Sequence, residues 1–364
     1  MLDRYEIGEL VGRGGMGNVY AARDKSTGAE VAIKRMNPAV MEDNRFVQRF
    51  LREVNLGAKL RHPNVIKVLD SGTDEEGVPY MVMELLRGEN LEQLIKKGPV
   101  PEAEAIKIMR QSLLGLQNAH QETVNHRDIK PANIFYCTDG SVRVMDFGIA
   151  KALEDSKLTR TGAIIGTLVY MSPEQTQAKP VDARSDLYSL SLIFFEMLAG
   201  KFPFPGKTPA VMLMDKMTKP VPPIPENTSP WLQSYMEKAL AKDPNDRFQS
   251  AYEMVMALDA KMPVPLKPGM SAATPPATAS SPPATSPASV QKSAPKDAPA
   301  VVSSRAGGGG SKQGIIIAAV VVIVVTVIAV MMMSKPASDA DANKSDKQKS
   351  SKEQKQNSKK AQTN

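Results

Sequence analysis

The run His126-Arg127-Asp128-Ile129-Lys130-Pro131-Ala132-Asn133 gathers a carboxylate, an ammonium group and an amide into one short stretch. A second carboxylate follows in Asp146-Phe147-Gly148, directly after the strand-like Val142-Arg143-Val144-Met145. These residue types suit phosphoryl transfer. That chemistry needs a group to orient an attacking hydroxyl and accept its proton, ligands for a hard cation, and positive charge against the moving group. Asp128 fits the first task and Lys130 the third. Asn133 and Asp146 offer hard oxygens to Mg²⁺, which takes few protein ligands and keeps waters. Each residue alone would read as a loop carboxylate or a helix cap. The set, in this order and spacing, is what points to chemistry.

Upstream, Gly12-Arg13-Gly14-Gly15-Met16-Gly17-Asn18-Val19 lies between two strand patterns. Glycines let backbone amides approach phosphate oxygens. The same spacing occurs in plain hairpins and in dinucleotide folds, but the latter need a helix after the loop, and here a strand follows. In Val31-Ala32-Ile33-Lys34, alternation puts Ala32 and Lys34 on one face. Phe46, Phe50 and Val54 predict a helix over Asn44 to Leu60, and Glu53 sits near its apolar stripe. A carboxylate there is costly unless a cation meets it, and Lys34 is the natural partner. Paired, the two would hold a point charge at α- and β-phosphates.

The elements that must position these groups follow from periodicity. Short β-branched or alternating runs read as strands over Tyr5 to Val19, Tyr20 to Ala22, Ala29 to Lys34, Val65 to Leu69 and Tyr80 to Leu85. After Leu86 helical patterns dominate, for example Pro101 to His120, Asp186 to Leu198 and Ser250 to Leu258. The expected class is α+β: a small strand-rich lobe with one long helix, about residues 5–85, then a larger helical lobe, about 86–261.

Together these motifs resemble the eukaryotic-type protein kinase family, nearest its bacterial transmembrane Ser/Thr members, over Tyr5 to about Leu258. The resemblance implies a bilobal fold with ATP in the cleft and Mg²⁺, or Mn²⁺ in its place, held by Asn133 and Asp146. It implies that Lys34 pairs with Glu53 and that Asp128 is the catalytic aspartate. Val11, Gly12, Arg13, Gly14, Gly15, Met16 and Gly17 would cover the nucleotide, with Val19, Ala32 and Phe135 sandwiching the adenine. Met83 falls at the gatekeeper position, and the backbones of Glu84 and Leu86 would meet the adenine edge. Glu174 of Ser172-Pro173-Glu174 should pair with Arg247, and Asp186 should brace the catalytic loop. Lys130 marks the Ser/Thr form, as does Thr167, expected to contact Asp128 and Lys130. Asn125, Thr123 and Ser191 depart from the family pattern without removing a catalytic group.

Control is expected at Arg127, which in the family receives a phosphate from the activation segment, here Asp146 to Glu174. Thr159 and Thr161 are the expected acceptors, a phosphate beside Arg127 ordering the loop by charge-assisted hydrogen bonds. Pairing of two copies for autophosphorylation in trans is a further expectation.

The net charge of +7 is uneven: residues 262–364 carry 13 Lys and Arg against 5 Asp and Glu. The near-neutral remainder argues against a duplex-binding protein, so no nucleic-acid partner is expected. The single Cys137 excludes an internal disulfide and a cysteine-based zinc site, as fits a cytosolic domain. Residues 262–313 are rich in Pro, Ala, Ser and Gly and read as an extended linker. Residues 314–333 are apolar and uncharged, long enough for one membrane-spanning helix, and 334–364 read as an unfolded lysine-rich tail. The positive-inside rule weakly favours a cytosolic tail. ATP is cytosolic, and this outweighs so small a bias. The expectation is a single-pass cell-membrane protein with the kinase domain in the cytoplasm, the tail outside, and protein Ser/Thr hydroxyls as acceptors. The rival readings are a pseudokinase, a small-molecule phosphotransferase on a related fold, or a membrane-tethered scaffold. Retention of Lys34, Asp128 and Asp146 weighs against the first.

Overall fold

The computed structural model describes residues 2–147 and 169–267. A five-stranded antiparallel sheet in the order β1-β2-β3-β5-β4 forms the N-terminal layer. Its strands are β1 (Tyr5–Arg13), β2 (Gly17–Asp24), β3 (Glu30–Met36), β4 (Val68–Thr73) and β5 (Pro79–Glu84). Helix α1 (Asn44–Lys59) packs on one face, its N-terminus capped by Asp43, whose side chain accepts from the Arg45 amide.

Strand alternation sorts β3 between two cores. Val31 and Ile33 join Tyr5, Ala22, Tyr80 and Val82 on one side of the sheet. Met36, on the opposite face with Ala32 and Lys34, joins Phe50 and Val54 of α1 with Val78 and Met81. Lys34 and the buried face of α1 are thereby turned toward each other.

The second layer is helical. It comprises α2 (Leu91–Ile95), α3 (Glu102–Gln121), α4 (Pro173–Thr176), α5 (Ala183–Ala199), α6 (Pro209–Thr218), α7 (Trp231–Ala239) and α8 (Ala251–Ala260). A small sheet of β6 (Gly88–Asn90), β7 (Ile134–Cys137) and β8 (Val142–Val144) lies beside it. Helix α5 is buried nearly all round and runs through the centre of this core. Gly115 lets α3 come close to the preceding segment: a Cβ there would stand 2.6 Å from the Asn64 carbonyl oxygen.

Most boundaries shift from the sequence reading, and two shifts have a clear physical reason. The run Tyr5 to Val19 is broken into two strands by the glycine turn at residues 14–16. The strand read over Val65 to Leu69 begins only at Val68. Val65 is apolar because it is buried in the helical layer's core, bridged to Val144 of β8. Among the described residues no helix is long and apolar enough to cross a membrane, and residues 314–333 lie outside them.

Candidate active site

A cleft of about 840 Å³ runs between the sheet and the helical layer. Its roof is the β1–β2 hairpin. Gly14 and Gly17 close the tip by exchanging backbone hydrogen bonds of 2.9 and 3.3 Å. The glycines serve different ends. A Cβ at Gly17 would strike the Arg35 carbonyl oxygen at 2.4 Å, so strand packing demands that glycine, whereas a Cβ at Gly15 meets nothing within 4 Å. The backbone at Gly15 is therefore uncovered. Val11, Gly12, Arg13, Met16 and Val19 complete the roof, Ala32 and Met83 form part of the back, and Glu84, Leu86 and Phe135 stand along the rim.

The chemical groups converge in the same cleft. Lys34 Nζ donates to Glu53 Oε1 at 2.6 Å and to Asp146 Oδ1 at 2.9 Å. Burial opposes the Lys34 charge, but Asp146 and Glu53 together hold its ammonium above the ordinary lysine range. Burial and the Asp146 charge push Glu53 up to about 8, against the pull of Lys34. Burial also opposes ionisation of Asp146, yet Lys34 brings it down to about 2. One ammonium thus faces two carboxylates, that of Glu53 buried and that of Asp146 about one-third exposed. Glu53 Oε2 has no hydrogen-bond partner among the described residues.

Asp128 is 8% exposed, at the floor of the cleft. Lys130 Nζ donates to its Oδ2 at 2.8 Å. Asn133 Nδ2 donates to the Asp128 carbonyl at 2.9 Å and to Oδ2 at 3.2 Å. Both bonds come from the amide nitrogen, so the Asn133 oxygen is the end available to a cation. With Asp146 about one-third exposed in the same cleft, the pair offers a hard-oxygen donor set that fits a small divalent ion.

The loop that carries Asp128 is held from below by Asp186 of α5. Its Oδ2 accepts from the His126 amide at 2.8 Å and its Oδ1 from the Arg127 amide at 2.7 Å. His120 Nε2 lies 2.9 Å from the same Oδ2. Arg127 and Asp146 adopt left-handed backbone conformations, φ +64° and +57°. Glu174 and Arg247 form a buried ion pair, described below. Gly148, Thr159, Thr161 and Thr167 lie outside the described residues.

Sequence reasoning gave no role to four groups that the structure ties to this region. His126 Nε2 lies 2.7 Å from the Met145 carbonyl, with its ring 4.7 Å from that of Phe147. Lys216 of α6 donates to the carbonyls of Val169 and Met171. Tyr170 Oη donates to Glu196 at 2.6 Å. Gln175 Nε2 donates to the Arg127 carbonyl at 2.9 Å. Only Gln175 left a sequence trace: Ser172-x-x-Gln175 has the spacing of a capping box.

The family model described as the protein kinase domain matches residues 5–258. The chain belongs to the protein kinase family. Among its relatives, a probable serine/threonine-protein kinase CE0033 of Corynebacterium efficiens is 42% identical over 270 residues, covering 71% of this chain and 41% of the relative. Serine/threonine-protein kinase PknB of Mycobacterium leprae is 42% identical over 260 residues, 69% of this chain and 42% of the relative. PknB of Mycobacterium tuberculosis is 41% identical over 261 residues, with the same coverage. The chain thus spans about two-fifths of the length of these curated relatives. In a protein kinase the strand-rich layer is the N-lobe, the helical layer is the C-lobe, and the cleft between them is the nucleotide site.

Proposed function

We propose that this chain is a serine/threonine protein kinase that transfers the γ-phosphoryl group of ATP to protein hydroxyls. The observation that carries the reading is the convergence of Lys34, Asp128, Lys130, Asn133 and Asp146 on one cleft beneath the glycine hairpin. Asp128 orients the acceptor hydroxyl and takes its proton. Lys130, already on Asp128, offsets charge gathering on the transferred group. Lys34, kept ionised by its two carboxylates, supplies a fixed positive charge for nucleotide phosphates. Asn133 and Asp146 would hold a divalent cation, Mg²⁺ in our reading with Mn²⁺ as a substitute, which when bound neutralises phosphate charge and orients the nucleotide. The names of the relatives and the presence of Lys130 favour Ser/Thr over Tyr as acceptor. Phosphoamino-acid analysis of a mixed protein substrate after incubation with Mg-ATP tests this. Phosphoserine and phosphothreonine are expected, and phosphotyrosine as the main product would contradict it.

The same reading includes autophosphorylation of Thr159 and Thr161 as the activating step, Arg127 receiving the phosphate. It also includes a membrane span at residues 314–333 with the kinase domain on the cytoplasmic side. The apolar, uncharged sequence of that segment supports the span. Replacing both threonines by alanine should lower specific activity, and unchanged activity would refute that part alone.

A further inference from the structure

The chain reaches Asp128 through a backbone conformation that L-residues avoid. Arg127, with φ +64°, stands in the left-handed region, which is unfavourable for a non-glycine residue and persists only where the surroundings hold it. Two side chains hold it, from opposite sides. Asp186 Oδ1 accepts from the Arg127 N–H at 2.7 Å, and Gln175 Nε2 donates to the Arg127 carbonyl at 2.9 Å. That carbonyl and the Asp128 N–H share one planar peptide unit, so what fixes the carbonyl also fixes the start of Asp128.

Gln175 makes this contact from a rigid base. It is the third residue of α4, and it closes a capping box with Ser172. Its Oε1 accepts from the Ser172 amide at 2.9 Å, while its own amide donates to Ser172 Oγ at 3.3 Å. The neighbouring Glu174 is anchored by Arg247 in the core of the helical layer. One amide side chain therefore uses its oxygen to cap α4 and its nitrogen to hold the catalytic loop. The capping role alone calls only for an acceptor, which glutamate supplies equally well. The nitrogen is explained only by the loop.

We propose that Gln175 is a positioning residue for Asp128. It couples the segment entering α4 to the peptide unit that carries the group orienting the acceptor hydroxyl. The inference rests on the kinase reading above.

Two variants of the full-length chain separate positioning from capping. Gln175→Glu keeps the acceptor for Ser172 and loses the donor to Arg127. Gln175→Met loses both. One neutral hydrogen bond of about 1 kcal/mol corresponds to roughly a five-fold change in rate. Both variants should lose about that much kcat on a protein substrate, with KM for ATP unchanged, and Gln175→Met, which also loses the cap, should melt lower than Gln175→Glu. Wild-type kcat in Gln175→Glu, or a kcat loss confined to Gln175→Met and matching its lower melting temperature, overturns the proposal. A wild-type chain that transfers no phosphate is a different result, and it removes the kinase reading itself.

Discussion

Glu174 and Arg247, 73 positions apart, form a buried two-pronged ion pair, with Nη1–Oε1 at 2.7 Å and Nη2–Oε2 at 2.8 Å. The guanidinium also donates to the carbonyls of Ala241 and Lys242 and lies 4.5 Å over the Tyr188 ring. Burial works against the Glu174 charge, but Arg247 and Ser185 hold the carboxylate below its ordinary range. The pair ties α4 to the core of the helical layer.

Removing one partner strands the other. Arg247→Ala should lower unfolding free energy by about 3–5 kcal/mol, because it leaves a buried carboxylate uncompensated. Urea denaturation at pH 7 checks this. The double variant Glu174→Gln/Arg247→Met should recover part of the loss. The stability that the pair contributes should also fade as pH falls through the folded Glu174 pKa, which lies below the ordinary glutamate value.

Thr123 adopts φ +58° just after α3, where its β-branched side chain is strained. Its hydroxyl bonds only the adjacent Glu122 carbonyl among the described residues. Thr123→Gly should stabilise the domain by about 0.5–1 kcal/mol, relief of strain outweighing glycine's entropy in the unfolded chain. A lower denaturation midpoint in the variant would contradict this.

Lys216 is 1% exposed, and burial together with the Lys242 charge pushes it down to about 7 from an ordinary 10.5. Between those values the unfolded chain binds more protons than the folded one, so this residue makes stability rise with pH. Below the folded value both states are protonated and its burial penalty is constant. Wild type should gain on the order of 2 kcal/mol over Lys216→Met between pH 7 and pH 9. Parallel stability curves for the two proteins would contradict the assignment.

Lys34→Met should leave Glu53 and Asp146 facing each other without a cation. Glu53 then keeps a proton to still higher pH, since the one group that lowers its pKa by attraction is gone. Phosphoryl transfer should fall at least about 100-fold, an electrostatic loss of some 2.7 kcal/mol or more. Steady-state assays on matched, folded protein check this.

Much of this site was legible in the sequence for identifiable reasons. Groups that act within one loop, such as Asp128, Lys130 and Asn133, keep their spacing wherever the loop goes. Glu53 betrayed itself as a charge beside an apolar stripe, and strand alternation put Lys34 on the matching face. The contacts across the helical layer were less legible. Lys216 is a charged residue on the buried side of α6, which blurs the period that would have marked that helix. The apolar run from Val65 serves two layers at once, so its pattern places the strand start three residues early. The left-handed turn at Arg127 and its clasp by Gln175 arise from packing of α4 against the loop, and no local pattern encodes them.

The central claim is that Asp128 serves phosphoryl transfer in this cleft. Intact-mass measurement of purified wild type and Asp128→Asn after incubation with Mg-ATP tests it most directly. Wild type should gain mass in whole phosphoryl steps, and the variant should gain none at equal folding. An unmodified wild type that also leaves an added protein substrate unphosphorylated, or equal gains in both proteins, would contradict it.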